Sequence, residues 1–166
     1  MGKKKSAGIK ESDSRILWAP WRSDYVTHAS KPGKCIFCGN NSHVVFRGKY
    51  SFVMLNRYPY NAGHLMVAPY RHVADLAKLL PAESREMFSL TKKSMNVLKK
   101  MLHPQGFNLG MNIGSIAGAG YAGHLHVHIV PRWAGDTNFM PVISKTKVIS
   151  ESLKKTEKQL SRLFKE

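Results

Sequence analysis

His124-Leu125-His126-Val127-His128-Ile129-Val130 alternates imidazole and aliphatic side chains without a break. Neighbouring side chains of a β-strand point to opposite faces, so the stretch predicts a strand at 124–131 with three histidines on one face and Leu125, Val127 and Ile129 on the other. The aliphatic face suits a core. Three rings about 6 to 7 Å apart along a strand suit metal or phosphate chemistry, because imidazole gains and loses its proton near neutral pH. The plainer alternatives are an edge strand that carries three polar residues, and a metal bound by all three.

Around this strand the charge is one-sided. The chain of 166 residues carries 26 Lys and Arg against 10 Asp and Glu, a formal charge of +16, and no acid falls between Glu86 and Asp136. That stretch offers no carboxylates for a Mg²⁺ site or an acid/base pair, so imidazole must carry the chemistry, and the field suits phosphates. The Lys runs at the termini read as solvated surface, with nucleic acid as the rival partner. The length fits one domain, and 43% hydrophobic content with 3 Trp, 7 Phe and 6 Tyr supplies one core. No apolar run reaches membrane-span length, and the Lys-rich start lacks the hydrophobic segment of a signal peptide, so a cytoplasmic setting is expected. There Cys35 and Cys38, spaced C-x-x-C, suggest metal binding or redox chemistry before a disulfide; two buried free thiols are the alternative.

Taken in order, residues 1–12 read as a disordered basic tail, and a short amphipathic helix interrupted by Pro20 follows from Asp13. Strands are expected at 43–47, 50–55 and 63–68. Pro81 opens a long helix with Met87, Leu90, Met95, Leu98 and Leu102 on one face, reaching about His103. Strands at about 106–113 and 124–131 flank a glycine-rich link. A strand near 146–149 and a helix capped by Ser150 and anchored by Leu153, Leu160 and Leu163 close the chain. Local strand pairs, then a helix, then two more strands give the α+β class with an antiparallel sheet.

HLHVHIV, together with LNRYPYNAGHLMVAPYRH at 55–72, NLGMNIGSIAGAG at 108–120 and PRWAGDTNFM at 131–140, resembles the histidine-triad (HIT) nucleotide hydrolases and transferases. LWAPWRSDYV at 17–26 and CIFC narrow the likeness to a bacterial branch of diadenosine tetraphosphate phosphorylases and hydrolases. The resemblance implies a five-stranded antiparallel sheet with a long packed helix, extra N- and C-terminal helices, and a homodimer. A domain over 13–141, with a zinc knuckle at 35–38, would precede an extension over 142–166.

The likeness also implies roles. His126 is the nucleophile, His128 and His124 complete the triad, and His64, in the Gly-His block, is a partner of the triad or else a hydrogen-bonded strand histidine. Asn112 and the loop containing Gly118 and Gly120 go to the phosphates, and Asn56 to the ribose hydroxyls; both Asn could instead be turn formers. Where many relatives carry a Ser, Thr or Gln before the first His, this chain has Tyr121, whose hydroxyl is the candidate replacement. That departure leaves phosphorolysis and hydrolysis both open. Trp133 walls the nucleotide site or belongs to the core. Similarity to zinc-bearing relatives points to His72 and His124 as companions of Cys35 and Cys38, holding a structural Zn²⁺ with four protein ligands.

The expected activity is cleavage of a dinucleoside polyphosphate through a covalent nucleotidyl-histidine, with inorganic phosphate or water as acceptor. A nucleoside phosphoramidate or acyl-adenylate hydrolase is the alternative enzyme. A basic nucleotide- or nucleic-acid-binding module is the alternative from another class, and it would have no need of the triad.

Overall fold

The structure, a computed structural model, describes residues 35–39, 43–136 and 152–165. The expected N-terminal tail and helix and the strand near 146–149 lie outside them.

Five strands form one antiparallel sheet: β1 (Val44–Arg47), β2 (Ser51–Leu55), β3 (Leu65–Pro69), β4 (Gly106–Gly110) and β5 (Val127–Arg132), in the order β1-β2-β3-β5-β4. Helix α1 (Pro81–Leu102) packs on one face, and α2 (Leu153–Leu163) lies against β1 and α1. Every residue of β2 and β3 is buried, because both faces are covered. Alternation sorts their side chains. Val53, Leu55, Leu65, Val67, Val127 and Ile129 meet Met87, Leu90, Val97 and Leu98 of α1, while Phe52, Met54, Met66 and Ala68 form a smaller cluster with Phe37. His128 pairs in register with Met66, so its imidazole belongs to the side away from α1. Ile129, fully buried, is central to the larger cluster, and truncation to Ala would cost about 2–5 kcal/mol.

The ends of α1 follow from its sequence. Pro81 fills the first position, where a missing N–H costs nothing, and the Glu83 carboxylate accepts from the Leu80 amide at 2.8 Å. The same carboxylate takes two hydrogen bonds from Arg71, at 2.9 and 2.7 Å. His103 ends the helix with a left-handed backbone, φ 47°. Beside that end sits Gly63, φ +72°, where a Cβ would lie 2.5 Å from Leu102 Cδ1. Only glycine lets the chain entering β3 pass this close to the helix.

Three expectations are corrected. The triad strand starts at Val127, so His124 and His126 lie in the lead-in to β5. Pro69 explains this: β3 ends on a residue with no N–H to extend the ladder, and the Leu125 amide bonds instead to the Val73 carbonyl at 2.7 Å. β4 stops at Gly110 instead of about 113, because its last partner on β5 is His128. The cap of α2 is Ser152, which accepts from the Lys155 amide at 3.3 Å, whereas Ser150 lies outside the described residues. Leu160 of α2 and the following Phe164 are buried in the main cluster, with Leu153 and Leu163 partly buried beside them. Among the described residues no helix is long and apolar enough to cross a membrane.

Candidate active site

The ladder's stop at Pro69 divides the histidines into two groups. His126 and His128 face each other with ring centroids 4.7 Å apart, and His64 lies 5.1 Å from His128. His124 instead turns toward His72, Cys35 and Cys38. The expected single row of three imidazoles is therefore a facing pair and a separate fourfold donor cluster.

Hydrogen-bond partners assign the protons in the first group. The Tyr60 amide can only donate, and it points at His64 Nδ1 from 3.0 Å; the Asn56 side-chain amide approaches the same nitrogen at 3.3 Å. His64 Nδ1 is thus an acceptor, and its proton sits on Nε2, 2.9 Å from His128 Nδ1. His128 accepts there, which leaves its own proton on Nε2. His126 has the opposite arrangement: Nδ1 lies 2.8 Å from the His124 carbonyl oxygen, to which it must donate, so Nε2 carries a lone pair. Burial pushes the His126 imidazole below its ordinary pKa, which favours the neutral ring. One ring offers a lone pair and its neighbour an N–H, the complement needed to attack a phosphorus and donate a hydrogen bond to the departing oxygen.

In the second group Cys35, Cys38, His72 and His124 present four ligand atoms within 4.8 Å of one another. Sulfur to Nδ1 distances are 3.4 and 3.5 Å to His124 and 3.2 Å between Cys38 and His72. Zn–S and Zn–N bonds at a tetrahedral angle would put these atoms about 3.6 Å apart, so the donors stand almost where zinc would hold them. His124 Nε2 lies 2.9 Å from the Pro69 carbonyl oxygen, the backbone partner that fixes a ligating histidine's tautomer and frees Nδ1 for metal. The residues could bind a metal, and four protein donors leave no position open for substrate.

Other candidate residues divide in the same way. Asn56 accepts from the Tyr58 amide at 3.0 Å as well as reaching His64, so it has both a turn role and a place at the facing pair. Asn112 donates to the Gly118 carbonyl at 3.1 Å, closing a loop in which Gly114 and Gly118 both have positive φ. This exposed loop presents backbone without side-chain cover, as does Gly120 beyond it. The Tyr121 ring stands edge-on to Phe37 and His72, and the neighbouring Cys35 thiol pushes the pKa of its hydroxyl up. Trp133 is tied to the helix end, its indole N–H donating to the Leu102 carbonyl at 3.3 Å.

Two aromatics escaped the sequence reading. Tyr60 lies against both His64 and His128, at 4.8 and 5.8 Å between ring centroids. Phe37, between the cysteines, stacks on His126 at 4.6 Å. An aromatic three residues before a Gly-His pair, and another inside a C-x-x-C turn, were the available signals.

Comparison with known proteins agrees with this arrangement. Residues 39–135 match the HIT domain family. The AP-4-A phosphorylase of Mycobacterium tuberculosis is 42% identical, over 93% of this chain and 87% of its own length. The asymmetrical bis(5'-nucleosyl)-tetraphosphatase of Schizosaccharomyces pombe is 32% identical, over 74% of this chain and 64% of its own. A hypothetical histidine triad nucleotide-binding protein from Sulfolobus tokodaii superimposes with a TM-score of 0.65 at 25% identity, over 79% of this chain and 92% of that one. A domain match over more than half the chain, with relatives that are enzymes of the same family, establishes that this protein belongs, as an enzyme, to the HIT domain family.

Proposed function

We propose that the protein cleaves dinucleoside polyphosphates, diadenosine tetraphosphate foremost, by transferring a nucleotidyl group through His126. The observation that carries this reading is the opposed proton arrangement of His126 and His128, and the 42% identical phosphorylase favours the substrate. The His126 Nε2 lone pair forms a bond to the α-phosphorus as the P–O bond to the departing polyphosphate breaks. That oxygen accepts a hydrogen bond from His128 Nε2–H and departs on the polyphosphate as an anion. In the second half, an oxygen of inorganic phosphate or of water attacks the same phosphorus, the bond to His126 Nε2 breaks and returns its lone pair, and the proton that water loses passes to solvent. With phosphate as acceptor the products of diadenosine tetraphosphate are ATP and ADP. The backbone of the 114–120 loop with Asn112 would receive the phosphates, and Asn56 the ribose.

Cys35, Cys38, His72 and His124 would hold zinc, whose contribution is to pin the 35–38 turn beside the reacting pair. A cytosolic setting, which keeps both thiols reduced, goes with this reading. A homodimer is supported by β4, the sheet's outer strand, where half-exposed Leu109 and Met111 line an apolar groove with Leu76, Leu79 and Phe88. A second copy pairing along β4 would cover that edge.

The test is to incubate the protein with diadenosine tetraphosphate, with and without inorganic phosphate, and separate the products. ATP and ADP formed only with phosphate establish phosphorolysis; ATP and AMP without it establish hydrolysis. An inert diadenosine tetraphosphate beside a cleaved adenosine phosphoramidate would overturn the substrate.

A further inference from the structure

The turn Cys35-Ile36-Phe37-Cys38 is closed by the Cys38 amide on the Cys35 carbonyl, at 3.2 Å. Its two middle side chains part company: Ile36 is 48% exposed and Phe37 only 4%. A metal turn needs no aromatic at that position, and the side chain does more than cover apolar surface. Although Phe37 shares a cluster with Phe52, Met54, Met66 and Ala68, its ring lies nearly parallel to that of His126, with centroids 4.6 Å apart and planes 30° from each other. The same ring meets His124 at 5.0 Å, and Tyr121 closes on its edge at 6.1 Å.

We infer that Phe37 is a positioning residue for His126, clamping the face of the nucleophilic ring and coupling the cysteine turn to the reacting pair. This inference rests on the proposed role of His126. The single bond from Nδ1 to the His124 carbonyl fixes one edge of the imidazole. It leaves the ring free to tilt about that bond, and a tilt swings Nε2 off the line of attack. A parallel ring on one face removes that motion. The contact also strengthens during the reaction. When Nε2 bonds phosphorus while Nδ1 keeps its proton, the imidazole becomes cationic, and an aromatic face beside a cation is attractive. Phe37 reaches His126 from a turn whose two ends are metal-ligand candidates, so it links that cluster to the site by a second route beside the His124 carbonyl.

The experiment compares Phe37→Leu, which keeps an apolar filler without a ring, with Phe37→Tyr, which keeps the ring. Each is purified with its metal and assayed with diadenosine tetraphosphate, and ¹⁵N signals of the His126 ring are recorded without substrate. In Phe37→Leu, kcat should fall about 10- to 100-fold with KM changed less than about twofold and zinc per chain unchanged. The His126 nitrogens, fixed as one tautomer in the wild type, should move toward averaged values. Phe37→Tyr should restore both readouts. Wild-type kcat and an unaveraged tautomer in Phe37→Leu overturn the inference, as does a loss of kcat accompanied by a matching loss of zinc, which would make Phe37 a mere support of the metal turn. The nitrogen signals need no substrate. Protein that ignores diadenosine tetraphosphate, yet averages its His126 tautomer only in Phe37→Leu, retires the substrate and keeps the clamp.

Discussion

His124 and His126 are the same residue type, two positions apart, both nearly buried, yet the chain uses them differently. His124 gives Nε2 to the Pro69 carbonyl and turns Nδ1 toward two thiols, whereas His126 gives Nδ1 to a carbonyl and keeps Nε2 for reaction. On the proposed reading, what would make one a ligand and the other a nucleophile is which nitrogen the backbone has already claimed. The metal corner and the reaction corner are thus two outcomes of one rule, and breaking one should leave a recognisable signature in the other.

The largest break is His126→Ala. Turnover should fall by at least about 10⁴-fold while nucleotide binding, followed by calorimetry, stays near wild type, because covalent chemistry is lost and few ground-state contacts are. Rapid acid-free quenching of the wild type with labelled substrate should leave label on His126; label on His128 would reverse the assignment.

His64→Ala should come next, with kcat down about 10²–10³-fold. It removes the Nε2–H that fixes the His128 tautomer but touches neither reacting nitrogen. An unchanged kcat would show that His128 keeps its proton on Nε2 without help.

Cys35→Ser probes the opposite corner. The wild type should contain close to one zinc per chain by elemental analysis. The variant should lose it and melt at a lower temperature, since metal binding energy is folding energy where a site is structural. No zinc in wild type prepared without chelator would remove the metal corner from the comparison.

The smallest effect belongs away from both corners. The Arg71 hydrogen bonds hold the Glu83 carboxyl below its ordinary pKa, despite the opposing effect of burial. A depressed folded pKa contributes stability above the unfolded value of about 4.3, and the contribution disappears as pH falls through the lower folded one. Glu83→Gln should therefore lower stability at neutral pH by about 1–2 kcal/mol, with the difference from wild type narrowing below pH 4. Denaturant melts at both pH values check this, and kcat should stay unchanged.

Near-continuous apolar runs made β2 and β3 readable, because burial on two faces leaves little room for polar residues, and the one-faced apolar repeat did the same for α1. The C-x-x-C pair and the histidine block announced chemistry for a similar reason: few other uses need those residues at that spacing. The separation of His124 from His126 came from the resemblance to zinc-bearing relatives and not from strand alternation, which puts both on one face. It depends on Pro69, 55 residues before His124, ending a strand that the sequence could only place approximately. The partners of Tyr121 and Trp133 were not legible because an aromatic's neighbours are set by tertiary packing: Phe37 and His72 for one, a helix-end carbonyl for the other. Phe37 was hidden by the cysteines flanking it.

Two main-chain groups bear on the polarity of the pair: the Tyr60 amide, which donates to His64 and through it turns His128, and the His124 carbonyl, which accepts from His126. A main-chain group survives replacement of its own side chain, so most substitutions at positions 60 and 124 leave these two bonds in place. Proline at position 60 would delete the donating N–H and leave the Asn56 side-chain amide as the donor to His64 Nδ1. The handle that sequence drift keeps on the direction of the protons is therefore the His64 side chain itself.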